Sequence, residues 1–104
     1  MTQGTTPSYI FRFKDKTIDF SEIDVFQITL KSCSSEITHN SEEPCVSIDT
    51  EKKTISLTLT QEETLSFKEG EAEVQVRGRF FDGVAFASKV YRVPVNRSLN
   101  KEVI

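Results

Sequence analysis

The feature that most constrains this chain is an alternation of apolar and polar residues with a period of two. Its clearest run lies between Asp24 and Ser32, where Phe26, Ile28 and Leu30 alternate with polar residues. Successive side chains of a β-strand point to opposite faces, so this run predicts a strand with one buried and one solvated face. Such strands bury their apolar faces by stacking one sheet on another.

The same alternation predicts further strands and two β-hairpins. Residues 8–13 predict an N-terminal strand, and the polar tetrapeptide 50–53 separates two alternating runs. The dipeptide Asp82-Gly83 favours a tight hairpin turn. The predicted hairpins therefore pair 46–48 with 55–59 and 72–81 with 84–93.

One short helix is predicted between the two hairpins. Thr60 and Glu63 have the spacing of a capping box, in which each side chain bonds to the other residue's backbone N–H. We therefore expect a helix within 61–67 that crosses between two sheets, with Leu65 and Phe67 closing the open end of the core.

These elements predict a single domain over 1–104. A chain of 104 residues suits one core, and a hydrophobic fraction of 37% suits a thin one. We expect an immunoglobulin-like antiparallel β-sandwich of six to seven strands with one short connecting helix. Residues 1–7 are predicted to be a flexible N-terminus and 96–104 a C-terminal tail.

Charge and composition exclude several classes of partner. The net charge is −3 and the basic residues are scattered along the chain, with only Lys52 and Lys53 adjacent, so no nucleic-acid partner is expected. No run of apolar residues is long enough to predict a membrane span, and no secretory signal is recognisable. The sequence thus predicts a cytoplasmic protein in which Cys33 and Cys45 remain free thiols.

The candidate chemical groups do not form a recognisable site in the sequence. The single histidine, His39, falls in the polar stretch 34–44, which predicts mainly loop, although Ile37 can anchor a brief paired segment. A metal site usually needs three or four ligands, so we expect His39 and the acidic clusters to be solvated. No catalytic, cofactor-binding or metal-binding residues are predicted, and the chain is not expected to be an enzyme.

An interaction surface is the remaining candidate. Tyr9, Phe81 and Tyr91 are the aromatic residues that strand parity can place outside the core, although packing against the partner sheet is the preferred interpretation. The apolar end of the tail, Val103 and Ile104, can build contacts between copies of the chain.

A family resemblance rests on three stretches: SLTLTQEETLSF, EAEVQVRGRFFDGVAFASKVYRVPV and the ending LNKEVI. With Thr6, Pro7 and Phe11 near the start, they resemble small proteins encoded in prophages of Gram-positive bacteria, over the whole chain. The sequence departs from that pattern in a longer polar insertion between Cys33 and Cys45. The resemblance implies the immunoglobulin-like sandwiches of phage tail and baseplate components.

The function implied by the resemblance is structural. It predicts a phage protein made in the bacterial cytoplasm and incorporated into a virion, with other phage subunits or its own copies as partners and no cofactor. Two alternatives stay open: a binding module for a surface glycan or host protein, and a non-structural phage protein that binds a host factor.

Overall fold

The computed structural model describes residues 1–13, 17–33 and 35–104, so Ser34 of the predicted loop lies outside the described residues. The described residues form eight β-strands, one 3-10 turn over Phe20–Glu22 and one α-helix. In chain order these are β1 Ser8–Arg12, β2 Ile23–Lys31, β3 Glu36–Asn40, β4 Val46–Asp49, β5 Thr54–Thr58, α1 Gln61–Leu65, β6 Gly70–Phe80, β7 Ala85–Ala87 and β8 Tyr91–Val95.

The strands form two antiparallel sheets. The smaller sheet has the order β1-β5-β4, and the larger has the order β3-β2-β6, with β7 and β8 both pairing the far side of β6. The predicted antiparallel β-sandwich with one short helix is confirmed. Both predicted hairpins form, as β4–β5 and as β6–β7.

The core consists of the inward residues of the alternating runs. In the larger sheet Ile28 lies opposite Val76 and Leu30 opposite Val74, and all four are buried. Ile55 of the smaller sheet is also buried. Each fully buried aliphatic side chain contributes about 1.5–3 kcal/mol, so the alternation accounts for most of the driving force for the sandwich.

Helix α1 begins with the predicted capping box. The Glu63 backbone N–H donates to Thr60 Oγ1 at 3.2 Å, and the Thr60 N–H donates to Glu63 Oε1 at 2.9 Å. The helix connects β5 of one sheet to β6 of the other. Phe67 follows it into the core and is buried as expected, whereas Leu65 is half-buried.

Strand β3 lies where the sequence predicts mainly loop, and that prediction is wrong. Ile37 lies opposite Leu30 and His39 opposite Ile28, so both side chains share the inward face of the sheet. The brief paired segment anchored by Ile37 is therefore confirmed. The alternating polar residues, Glu36, Thr38 and Asn40, made the strand look like a loop in the sequence; they belong to its solvated face, where Thr38 hydrogen-bonds across to Thr29 of β2.

The predicted return strand 84–93 is divided into β7 and β8. Ser88 separates them: its backbone N–H donates to the Val76 carbonyl at 2.8 Å, and its Oγ accepts from the Val76 N–H at 3.0 Å. A side-chain oxygen thus takes the place of a backbone carbonyl in the ladder. Pro94 lies within β8, which is tolerated because β8 is an edge strand.

The N-terminal segment, predicted to be flexible, packs against the sandwich. Gln3 is 2% exposed; its Nε2 donates to the Phe67 carbonyl at 2.6 Å and its Oε1 accepts from the Ser98 N–H at 3.1 Å. Thr2 and Asn96 form a parallel bridge beside it. The start of the predicted C-terminal tail is therefore anchored, while residues 99–104 are exposed.

Candidate functional site

A cluster of four chemically reactive side chains lies where β3, the turn after it and the start of α1 meet. His39 belongs to β3, Glu43 and Cys45 to the turn that leads into β4, and Glu63 to the first turn of α1. Because His39 shares the inward face of β3, its side chain is only 15% exposed. We call these four residues the His39 cluster.

His39 contacts a carboxylate at each ring nitrogen. Its Nδ1 bonds to Glu43 Oε2 and its Nε2 bonds to Glu63 Oε2. Cys45 Sγ lies 3.5 Å from His39 Nδ1 and 3.7 Å from Glu43 Oε2. Ionised carboxylates only accept hydrogen bonds, so when both acids are ionised both ring nitrogens donate and the ring is the imidazolium.

Backbone groups hold both carboxylates in place. Glu43 accepts from the Asn40 N–H through its other oxygen, at 3.1 Å. Glu63 accepts from the Thr60 N–H through its other oxygen, as part of the capping box. The two acids that orient His39 are therefore fixed by a turn and by a helix terminus.

The pKa shifts follow from this geometry. Desolvation lowers the pKa of His39, but the hydrogen bonds to Glu43 and Glu63 outweigh it and raise the pKa above its ordinary value. The bond to His39 lowers the pKa of Glu43. Desolvation and then the charge of Glu43 raise the pKa of Cys45, so its sulfur stays protonated.

The prediction that His39 is a solvated loop residue is wrong. Sequence reasoning also assigned no metal ligands, but His39, Glu43 and Cys45 each offer one ligand atom, all within 4.8 Å of one another. One feature of the sequence could have indicated that His39 is partly buried. Ile37 and His39 are two residues apart, which places the histidine on the same strand face as an apolar residue. No pattern in the local sequence indicates that Glu63 lies close to His39.

Three residues of the His39 cluster are also arranged like a catalytic triad. Cys45 stands where the nucleophile would be, His39 where the base would be, and Glu63 where the acid that orients the base would be. Nucleophilic chemistry requires the thiolate. Desolvation and then the Glu43 carboxylate raise the pKa of the Cys45 thiol, and both therefore oppose thiolate formation. The electrostatics do not favour a catalytic cysteine.

The residues predicted as an interaction surface are distributed over three places. Tyr9 packs against the core from β1, so the packed interpretation holds for it. Phe81 is 67% exposed at the β6–β7 turn, and Tyr91 is 49% exposed at the start of β8. Val103 and Ile104 are exposed, and the Ile104 backbone hydrogen-bonds to the Gln61 side chain at α1.

Two further exposed apolar residues accompany Phe81 and Tyr91. Val84 precedes β7 and is 56% exposed, and Val90 precedes β8 and is 50% exposed. We call these four residues the β7–β8 border. Within the described part of the chain β7 pairs only with β6, whereas the far end of β8 is covered by the N-terminal segment, because the Met1 amino group donates to the Pro94 carbonyl and Thr2 bridges to Asn96. The border is therefore an open sheet edge along β7 and at the Tyr91 end of β8, with apolar side chains.

Comparison with known proteins assigns no family. No protein-family model matches the chain, and a search of curated proteins gives no match. Among the described residues, neither the helix nor the 3-10 turn is long and apolar enough to cross a bilayer.

Proposed function

We propose that this chain is a non-enzymatic structural or adaptor component of a phage particle and acts by docking against a neighbouring protein subunit. The resemblance to prophage-encoded sandwich proteins supports the phage setting. The β7–β8 border supports docking, and it is the observation that carries the proposal.

The β7–β8 border has the properties of a subunit contact. Edge strands present unpaired N–H and C=O groups to which another chain can add a strand. Exposed apolar side chains along a sheet edge offer contact points to an added strand, and aromatic residues are enriched at the centres of interfaces. Phe81 and Tyr91 supply the aromatic rings, and Val84 and Val90 lie between them in sequence.

The occupant we propose is an extended segment of a neighbouring subunit of the particle. Backbone pairing along β7 and the Tyr91 end of β8 gives affinity, and the apolar side chains of the border give specificity. The charged residues of β6 lie on the outer face of the sheet, so they flank the contact without being buried by it.

Mass spectrometry of purified particles from an induced producing strain tests the proposal. We expect the chain at a defined copy number per particle. Tyr91→Ser should reduce incorporation, whereas Ile10→Ser, which removes a 59% exposed apolar side chain on β1 of the smaller sheet, should leave it unchanged. Particles that lack the chain while it is abundant in the lysate would refute the proposal.

A glycan-binding module is the second candidate, because the Phe81 and Tyr91 rings are exposed as a sugar-stacking surface requires. A glycan array separates the two candidates. Hits that disappear in Tyr91→Ser, from a chain absent from particles, would replace the docking proposal with this one.

A further inference from the structure

We propose that His39, Glu43 and Cys45 bind a zinc ion, with Glu63 as the residue that positions the histidine ring. This inference is independent of the proposed docking function, because the His39 cluster lies at the β3 and β4 edges and the docking surface at the opposite border of the larger sheet.

The chemical types of the three donor atoms, a nitrogen, a sulfur and an oxygen, favour zinc over magnesium and calcium. Zinc is bound in proteins by histidine nitrogen, cysteine thiolate and carboxylate oxygen, and the cluster offers one of each. Magnesium and calcium prefer sites made of oxygen ligands alone, whereas thiolate and imidazole favour zinc. The three donors therefore fit a borderline-soft divalent cation.

The distances between the donors match a tetrahedral zinc site on two of its three edges. With Zn–N of about 2.0–2.1 Å and Zn–S of about 2.3 Å, a tetrahedron places the nitrogen and sulfur about 3.6 Å apart, and the sulfur and oxygen also about 3.6 Å apart. The corresponding distances are 3.5 Å from Cys45 Sγ to His39 Nδ1 and 3.7 Å to Glu43 Oε2.

The third edge of the tetrahedron, between His39 Nδ1 and Glu43 Oε2, is too short for a shared zinc ion unless Glu43 moves. His39 Nδ1 and Glu43 Oε2 are in direct hydrogen-bond contact and must separate to about 3.4 Å, the edge expected from zinc–nitrogen and zinc–oxygen bond lengths. The Glu43 side chain is 37% exposed, so its carboxylate can pivot about Oε1, which keeps its bond to the Asn40 N–H, and move Oε2 away from the ring without disturbing the core. The ion then replaces the proton that these two groups share.

Glu63 supplies the support that zinc-binding histidines usually have. Such histidines donate their other ring N–H to a carboxylate or carbonyl, which fixes the tautomer and the ring orientation. Glu63 Oε2 accepts from His39 Nε2, and the capping box holds Glu63 itself. The Nδ1 lone pair is thereby directed at Glu43 and Cys45.

Charge also favours the ion. Cys45 must lose its proton to become a ligand, and the resulting thiolate lies 3.7 Å from the carboxylate oxygen of Glu43. A divalent cation between them removes this repulsion, and the released protons pass to solvent. Three protein ligands leave a fourth position for water or an external ligand.

Cobalt substitution and calorimetry test the site on the reduced full-length chain. We expect one equivalent of Zn²⁺ to bind, and Co²⁺ to give a thiolate-to-cobalt charge-transfer band with tetrahedral d–d absorption. Cys45→Ser should remove that band and weaken Zn²⁺ binding at least about tenfold, while Cys33→Ser, at an exposed free thiol outside the cluster, should change neither.

Two results would overturn the assignment: no stoichiometric binding, or equal effects of the two cysteine substitutions. Circular dichroism of each variant confirms that a lost signal reflects the ligand rather than the fold.

The positioning role of Glu63 has its own test. Glu63→Gln keeps a side chain able to complete the capping box but removes the charge that orients His39. We expect about 10–100-fold weaker Zn²⁺ binding with an unchanged Co²⁺ spectrum, the usual effect of losing such a partner. The matched control is Glu42→Gln, at an exposed acid outside the cluster, which should bind as the wild type does. Equal affinities in both variants would refute the role.

Discussion

Gly78 is the glycine of the core sheet that leaves least room for a side chain, and Gly78→Ala is therefore a sharp test of the packing. It lies in β6 opposite Phe26 of β2 and Phe86 of β7. A Cβ at this position would lie 2.6 and 2.7 Å from two ring carbons of Phe86 and 2.8 Å from the Val25 carbonyl oxygen. All three distances are shorter than carbon contacts allow.

The magnitude follows from two opposing terms. Overpacking a well-packed site costs about 1–3 kcal/mol. Replacing glycine in a strand recovers about 0.5–1 kcal/mol, because the unfolded chain loses conformational freedom. The Phe86 ring cannot move freely, since it contacts the Phe13 and Phe80 rings at centroid distances of 6.2 and 4.9 Å. Because all three contacts are under 3.0 Å, the cost lies near the upper end of that range, and we expect a net loss of about 2 kcal/mol and a fall in Tm of roughly 8–16 °C.

Urea unfolding of wild type, Gly78→Ala, Phe86→Leu and the double variant measures this effect. The smaller side chain at position 86 relieves the ring contact but not the contact with the Val25 carbonyl. The double variant should therefore lose less stability than the sum of the two single variants. A Gly78→Ala protein as stable as the wild type would refute the reasoning.

Three further predictions use the same denaturation assay or a titration. Thr60→Ala should cost about 0.5–2 kcal/mol by removing the cap of α1, while Thr60→Ser should retain most of that stability. Gln3→Leu should cost about 1–3 kcal/mol, because the buried Phe67 carbonyl and the Ser98 N–H lose their partner; a neutral result would show that water replaces it. Burial raises the pKa of Tyr9 above 10.0, so the unfolded chain releases this proton first and stability should fall as pH rises past about 10. The phenolate absorbance of Tyr91→Phe, which retains one of two tyrosines, should show a midpoint above that value.

The elements governed by local pattern were predictable from the sequence. The runs containing Ile28, Ile55 and Val74 alternate because one face of each strand is buried, and these runs gave the correct strands. The Thr60 and Glu63 spacing gave the helix start, because a capping box is completed within four residues. Asp82-Gly83 gave the β6–β7 turn for the same local reason.

The elements that depend on contacts distant in sequence were not predictable. The break between β7 and β8 arises because the Ser88 hydroxyl bonds to Val76, a residue on another strand. Gln3 is ordered by Phe67 and Ser98, which lie far along the chain. No local pattern records either contact.

The His39 cluster was not predicted because the local pattern around His39 is weak and because its contact with Glu63 joins residues distant in sequence. His39 was assigned to a loop because β3 is short and has only one strongly apolar inward residue, Ile37. Glu63 was correctly assigned to the capping box, but that role uses only one of its two carboxylate oxygens. The second oxygen bonds to His39 Nε2, and this contact is seen only in the folded structure, where the start of α1 lies beside β3.

The anchored N-terminal segment has a mechanical consequence. The Gln3 N–H donates to the Asn96 carbonyl, the Asn96 N–H donates to the Met1 carbonyl, and the two segments run parallel. Tension applied between the two chain ends draws parallel segments past each other, so these bonds are loaded together in shear instead of opening one after another. Stretching the molecule by its ends should therefore load this parallel pair in shear once the bonds between Ile104 and Gln61 have opened, and before either sheet is disturbed.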